Sequence, residues 1–182
     1  MPIMCFFIAE GFQRTRNVKL YAGRLLVFAL IAEIPFRLYF NYQQETGNVL
    51  FTLLAGLLFL WAWRDIKIRP LAYIVMALIM AAVNIPGYKT DYGALGVAMV
   101  ALAGLPYHIK FQSKFQALAP AALCGLSNVL KGLPAPLGYW PLVAGLLLCL
   151  YNGKRGLPMK YFFYAFYPLH LVILWVVRWY IM

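Results

Sequence analysis

Apolar residues run through this chain so continuously that any fold must first answer where they are hidden. Hydrophobic side chains make up 64% of its 182 residues, and their runs are interrupted mainly by single or clustered Lys and Arg. A soluble domain of this size needs more polar surface than remains, so the excess apolar side chains are expected to face lipid. The runs approach the roughly 20 residues with which a helix crosses a bilayer. They are continuous rather than alternating with period two, which favours helices over a membrane β-barrel. The expected fold is all-α, a polytopic transmembrane helical bundle forming a single transmembrane domain over residues 1–182.

Reading the runs between charges places spans at Leu25 to Phe40, Gly47 to Trp63, Leu71 to Pro86, Tyr92 to Leu105, Phe115 to Leu130, Pro136 to Tyr151 and Tyr161 to Met182. About seven spans thus follow a partial N-terminal helix. The loops alternate in charge. Arg14, Arg16, Lys19, Arg24, Arg64, Lys67, Arg69, Lys110, Lys114, Lys154, Arg155 and Lys160 fall on one side, and Arg37, Lys89, Lys131 and Arg178 on the other. By the positive-inside rule the first group is cytoplasmic and the seventh span ends outside, with the bilayer as the expected partner. The span from Phe115 to Leu130 carries Pro120, Gly125, Ser127 and Asn128 and is expected to be broken or re-entrant. Met1 to Phe12 is apolar but would rise only about 18 Å as a helix, short of roughly 30 Å of hydrocarbon. Either the chain begins inside a helix, through a late start codon or a truncated gene, or the segment is re-entrant or interfacial.

Sixteen cations against five acids give a net charge of +11. No basic stretch is interleaved with polar surface, so nucleic acid is not an expected partner. Cys5, Cys124 and Cys149 are odd in number and widely spaced, which implies packing residues rather than disulfides or a metal site. With two histidines and scattered acids, no metal is expected. Glycine-rich phosphate loops, nucleophile elbows and zinc helix motifs are absent.

Ionisable groups inside apolar spans are costly and are therefore functional candidates. Glu10 closes the apolar opening, either paired with Arg14 at i+4 or forming an anion cradle with the neighbouring arginines. Glu33 precedes Pro35, a helix-kinking position, and either faces a wet cavity or pairs with Arg37. Asn48 and Thr52 share a helix face at i, i+4, and Asp91 opens another span as a candidate cap. His170 follows Pro168 midway along the last span, after Tyr161, Tyr164 and Tyr167 at threefold spacing. It is read either as a general base or proton relay, or as a histidine bonded to a neighbouring helix. His108 reads as a solvated loop residue.

At these residues the chain resembles the TraX family of bacterial inner-membrane proteins, related in hydropathy and helix pattern to the large membrane acyltransferase superfamily. The likeness runs through Phe6-Phe7-Ile8-Ala9-Glu10-Gly11-Phe12 into Arg14-Thr15-Arg16-Asn17, and through Arg24 to Phe36. It continues in Asn48-Val49-Leu50-Phe51-Thr52-Leu53, Asp91-Tyr92-Gly93-Ala94 and Phe163-Tyr164-Ala165-Phe166-Tyr167-Pro168-Leu169-His170. The resemblance implies transfer of an acetyl group from acetyl-CoA to the N-terminal amine of a conjugative pilin. It implies His170 and Glu33 as catalytic residues, Arg14 and Arg16 as binders of the acetyl-CoA phosphates, and Glu10, Asn48, Asp91 and Tyr167 as substrate-binding residues. Family members also resemble one another in an earlier helix with an Asp-His pair, which this sequence lacks and which implies truncation. A non-catalytic membrane component of pilus or envelope assembly and a small transporter are the alternatives; no inverted repeat supports the second.

Overall fold

The computed structural model describes residues 1–40, 46–86, 89–104, 112–134, 138–151 and 160–181. Among these residues it holds eight α-helices: α1 (Pro2–Arg14), α2 (Val18–Tyr39), α3 (Val49–Asp65), α4 (Arg69–Ala82), α5 (Gly93–Gly104), α6 (Gln112–Leu130), α7 (Trp140–Leu148) and α8 (Lys160–Ile181). Each expected run overlaps one of them, and the apolar opening forms α1. His108, Lys110, Lys154 and Arg155 lie outside the described residues.

The expected polytopic transmembrane bundle is corrected by the lengths and charges of these helices. Among the described residues no helix is long and apolar enough to cross a membrane. Of the shorter helices, α3 is the longest at 17 residues, a rise of about 26 Å, below the roughly 30 Å of hydrocarbon. The longer α2 carries Lys19, Arg24, Glu33 and Arg37, α6 carries Lys114, Gln116 and Asn128, and α8 carries charges near both ends. Continuity of apolar residues therefore overstated how much uninterrupted apolar helix there is. The expected break in Phe115 to Leu130 is also absent, since α6 runs through Pro120 without interruption.

The short opening helix turns out to be central. α1 packs against α3, α5, α6 and α7, while α8, α2, α3, α5, α6 and α7 succeed one another around it, and α4 lies outside against α3 and α5. Cys5, Phe6, Ile8, Ala9 and Phe12 bury one side of α1 among Leu53, Leu57, Leu60, Met99, Val100 and Cys124. α1 stands off α2 and α8, and that gap becomes a cavity. Leu25, Ala29, Ala32 and Phe36 form the buried stripe of α2 at helical spacing. Its outer face leaves Leu26, Val27, Leu30, Ile31 and Ile34 exposed, as α4 leaves Leu71, Ile74 and Leu78. That is a larger apolar surface than monomeric soluble proteins present.

Candidate functional site

Asn48 is the hub of a polar cluster at the start of α3. It is 0% exposed, and every polar atom of its side chain is engaged. Its Oδ1 accepts from the Leu50 amide at 2.9 Å, capping α3. Its Nδ2 donates to the Ala29 carbonyl at 2.8 Å and to Glu33 Oε2 at 2.8 Å, and its backbone amide donates to the same oxygen at 3.2 Å. The other Glu33 oxygen accepts from Arg37 Nε at 2.8 Å. Glu33 thus makes the Arg37 pair and also reaches inward across α2 to α3. The Tyr167 hydroxyl of α8 comes near the backbone of Val49. Burial raises the pKa of that hydroxyl, the Val49 backbone opposes this, and the charges of Asp91 and Glu33 raise it further.

Asp91 reaches the same region through the backbone. Gly47 donates to the Lys89 carbonyl at 2.8 Å and accepts from the Asp91 amide at 3.0 Å, so the entries to α3 and α5 are stitched side by side. Glu33, Asn48, Asp91 and Tyr167 are therefore brought together from four separate stretches of chain. Burial raises the Asp91 carboxyl pKa, with Lys131 pulling it down. A raised folded pKa means stability that is fully present below the unfolded carboxylate value near 4 and is lost as pH rises through the folded value. Asp91→Asn is accordingly expected to match the parent melting temperature near pH 3 and to exceed it at pH 7. A variant less stable than the parent at pH 7 would show that the carboxylate gains a partner instead.

Beside the cluster lies a cavity of about 670 Å³. Met4, Phe7, Ile8, Gly11, Arg14 and Thr15 line it from α1 and its end, Tyr21, Arg24 and Leu25 from α2, Leu50 and Leu53 from α3, and Tyr164 from α8. Leu50 is the residue whose amide Asn48 caps, and Tyr164 is one turn from Tyr167, so the cavity ends against the polar cluster. Its α1–α2 end is cationic and its α3 end apolar. Arg24, Tyr21 and Tyr164 went unassigned in the sequence, where Arg24 read as one more loop cation. The Tyr164 repeat with Tyr167 was the one available signal.

The remaining expected residues are more dispersed. Glu10 Oε1 accepts from Arg14 Nε at 2.6 Å and from the Tyr151 hydroxyl at 3.3 Å, so the i+4 pair is formed and tied to the end of α7. Arg16 is exposed and is not among the residues lining the cavity. His170 Nδ1 lies 3.1 Å from the Phe166 carbonyl of its own helix, not of a neighbouring one. Its ring stacks on Phe166 and leans on Tyr167, both with centroids 5.3 Å away. Among the described residues, His170 thus meets the cluster through Tyr167. Cys5 and Cys124 are buried in the core, and among the described residues no three His, Cys, Asp or Glu side chains converge as metal ligands.

The family model described as TraX protein matches residues 1–178. A relative from Dichelobacter nodosus, a probable fimbrial assembly protein FimC of serogroup H1, is 31% identical over 197 aligned positions that cover 96% of this chain and 78% of that protein. No solved structure matches. Because the family match runs nearly from end to end and includes every residue of the polar cluster and the cavity, the chain belongs to the TraX family.

Proposed function

We propose that this chain acts in pilus assembly by transferring an acetyl group from acetyl-CoA to the N-terminal amine of a pilin-type acceptor. The observation that carries the reading is the cavity that leads from Arg14 to the Glu33, Asn48 and Tyr167 cluster. A donor held by its phosphates at the cationic end has its thioester directed at the apolar α3 end, behind whose Leu50 the Asn48 cluster lies. In the transfer the acceptor nitrogen attacks the acetyl carbonyl carbon, the new C–N bond forms, the C–S bond breaks, and the amine proton must leave. The Phe166 carbonyl can only accept, so the His170 tautomer that bonds it carries its proton on Nδ1 and leaves Nε2 free to take the amine proton. Glu33 already accepts from Arg37 and twice from Asn48, so its part in this scheme is to position Asn48 and not to remove a proton. The exposed apolar faces of α2 and α4 support association with the lipid bilayer of a bacterial inner membrane.

The test compares acceptor N-termini by mass spectrometry with parent protein and with His170→Ala. General-base loss is expected to lower the acetylation rate by about 100-fold or more. Undiminished acetylation would remove His170 from the mechanism. A second reading, a non-catalytic assembly component, is favoured by the saturation of the Glu33 carboxylate with structural bonds. Copurification of an acceptor with no labelled-acetyl transfer would select it.

A further inference from the structure

Arg24 poses a problem that the polar cluster does not solve. It is half-buried on α2 and its side chain forms part of the cavity wall, yet among the described residues it makes no ion pair and no hydrogen bond. Withdrawing a guanidinium from water without a counter-charge is costly, and such a group is normally matched by an anion. Arg14 also lines this cavity and is paired with Glu10. The wall thus presents two guanidinium groups whose forked donors fit phosphate oxygens.

The rest of the cavity sets the shape of what carries the anion. From Arg14 back to Met4 the α1 wall extends about 15 Å at the rise of a helix. Besides the two guanidinium groups, the lining carries the rings of Tyr21 and Tyr164 and the apolar side chains of Met4 and Leu50. Burial raises the pKa of both phenols, with Tyr164 adding to the rise at Tyr21 and Arg24 opposing it at Tyr164, so Tyr164 lies within electrostatic reach of both. The volume of about 670 Å³ lies in the ordinary range for small-molecule sites.

We infer that the cavity between α1, α2, α3 and α8 binds a ligand with a phosphate head and a slender, flexible tail, either an acyl chain or a pantetheine arm. The head is clamped by Arg24 and Arg14, and the tail points toward Leu50. Two sources share this chemistry, a coenzyme A-type donor and a phospholipid. That coenzyme A is such a ligand rests on the acetyl-transfer reading; binding of a phosphate-headed amphiphile does not.

The experiment is calorimetric titration of the whole chain in a maltoside detergent. The probes are coenzyme A and a 16-carbon lysophosphatidate, with inorganic phosphate, hexadecanol and palmitate as controls. At least one two-part probe is expected to bind more tightly than every control. Binding of coenzyme A alone assigns the site to the donor, of lysophosphatidate alone to a lipid, and of both to the shared chemistry; each supports the inference. Arg24→Gln is expected to weaken binding about tenfold or more, the usual scale of a charge-assisted bond. Arg24→Lys should lose less, and Lys19→Gln, an exposed cation on the same helix, should change nothing. Binding of neither probe, equal binding of hexadecanol or palmitate, or indifference to Arg24→Gln would overturn it. Titration needs no turnover, so lysophosphatidate binding without acetyl transfer would sink the transfer reading alone. Acetyl transfer with probe binding indifferent to Arg24→Gln would sink this inference alone.

Discussion

Asn48→Leu is expected to lower the unfolding free energy by about 3–4 kcal/mol. The substitution keeps the volume of a fully buried side chain but removes its contacts with three partners on two helices. The Leu50 amide loses its cap, typically about 1 kcal/mol. Glu33 Oε2 loses its side-chain donor while still held inside by Arg37, and bonds to charged groups are worth about 1.5–3 kcal/mol each. Urea unfolding followed by tryptophan fluorescence measures the sum, and a loss under about 1 kcal/mol would mean that water replaces these bonds. Asn48→Asp separates charge from shape. It keeps the cap acceptor but sets a second carboxylate against Glu33, where like charges disfavour ionisation. The introduced group's folded pKa is therefore raised, its stabilising neutral form is present at low pH, and the variant is expected to weaken as pH rises from 4 to 7. A variant equally stable at both values would place the introduced carboxylate in water.

The helices were legible in the sequence because apolar runs end where charges, prolines and glycines collect, and each expected run does overlap a helix. What those runs do not encode is how much of each run is helical. The Pro136 to Tyr151 run yields only Trp140–Leu148, and Tyr92 to Leu105 yields Gly93–Gly104, so apolar lengths that suggested spans become helices too short to be spans. The centrality of α1 was hidden for a related reason, since a segment judged by its length against a bilayer gives no hint that four helices, α3, α5, α6 and α7, pack against it. Within the site, Glu33, Asn48, Asp91 and Tyr167 stood out because polar groups in apolar surroundings are conspicuous one at a time. Their meeting point was not legible, because it depends on a backbone link between Gly47 and Asp91 and on α8 returning to α2. Arg24 was invisible as a site residue for the opposite reason. A cation at the head of an apolar run looks the same whether it faces solvent or a cavity, and the cavity exists only because α1 stands off α2 and α8.

The close contact of α3 with α5 carries the second large effect. A Cβ placed on Gly96 would collide with the Thr52 methyl Cγ2 and come within 2.8 Å of Tyr92 Cβ. Thr52 is 0% exposed and β-branched, so its methyl has little freedom to rotate away. Gly96→Ala must therefore push the two helices apart, and overpacking of this kind costs about 1–3 kcal/mol, partly offset by the better helix propensity of alanine. Thr52→Ser removes the colliding methyl but leaves the contact with Tyr92 Cβ, so in the double variant with Gly96→Ala part of the loss is recovered, and a coupling of about 1 kcal/mol is expected between the two sites. Gly56 provides the contrast. Its added Cβ would sit 2.6 Å from Val100 Cβ itself, an atom that Val100→Ala retains, so Gly56→Ala should be as damaging with Val100→Ala as without it. Thermal unfolding of these single and double variants distinguishes a contact relieved by trimming one methyl from one set by the backbones. If Thr52→Ser failed to rescue Gly96→Ala while Val100→Ala rescued Gly56→Ala, the packing of α3 on α5 described above would be wrong.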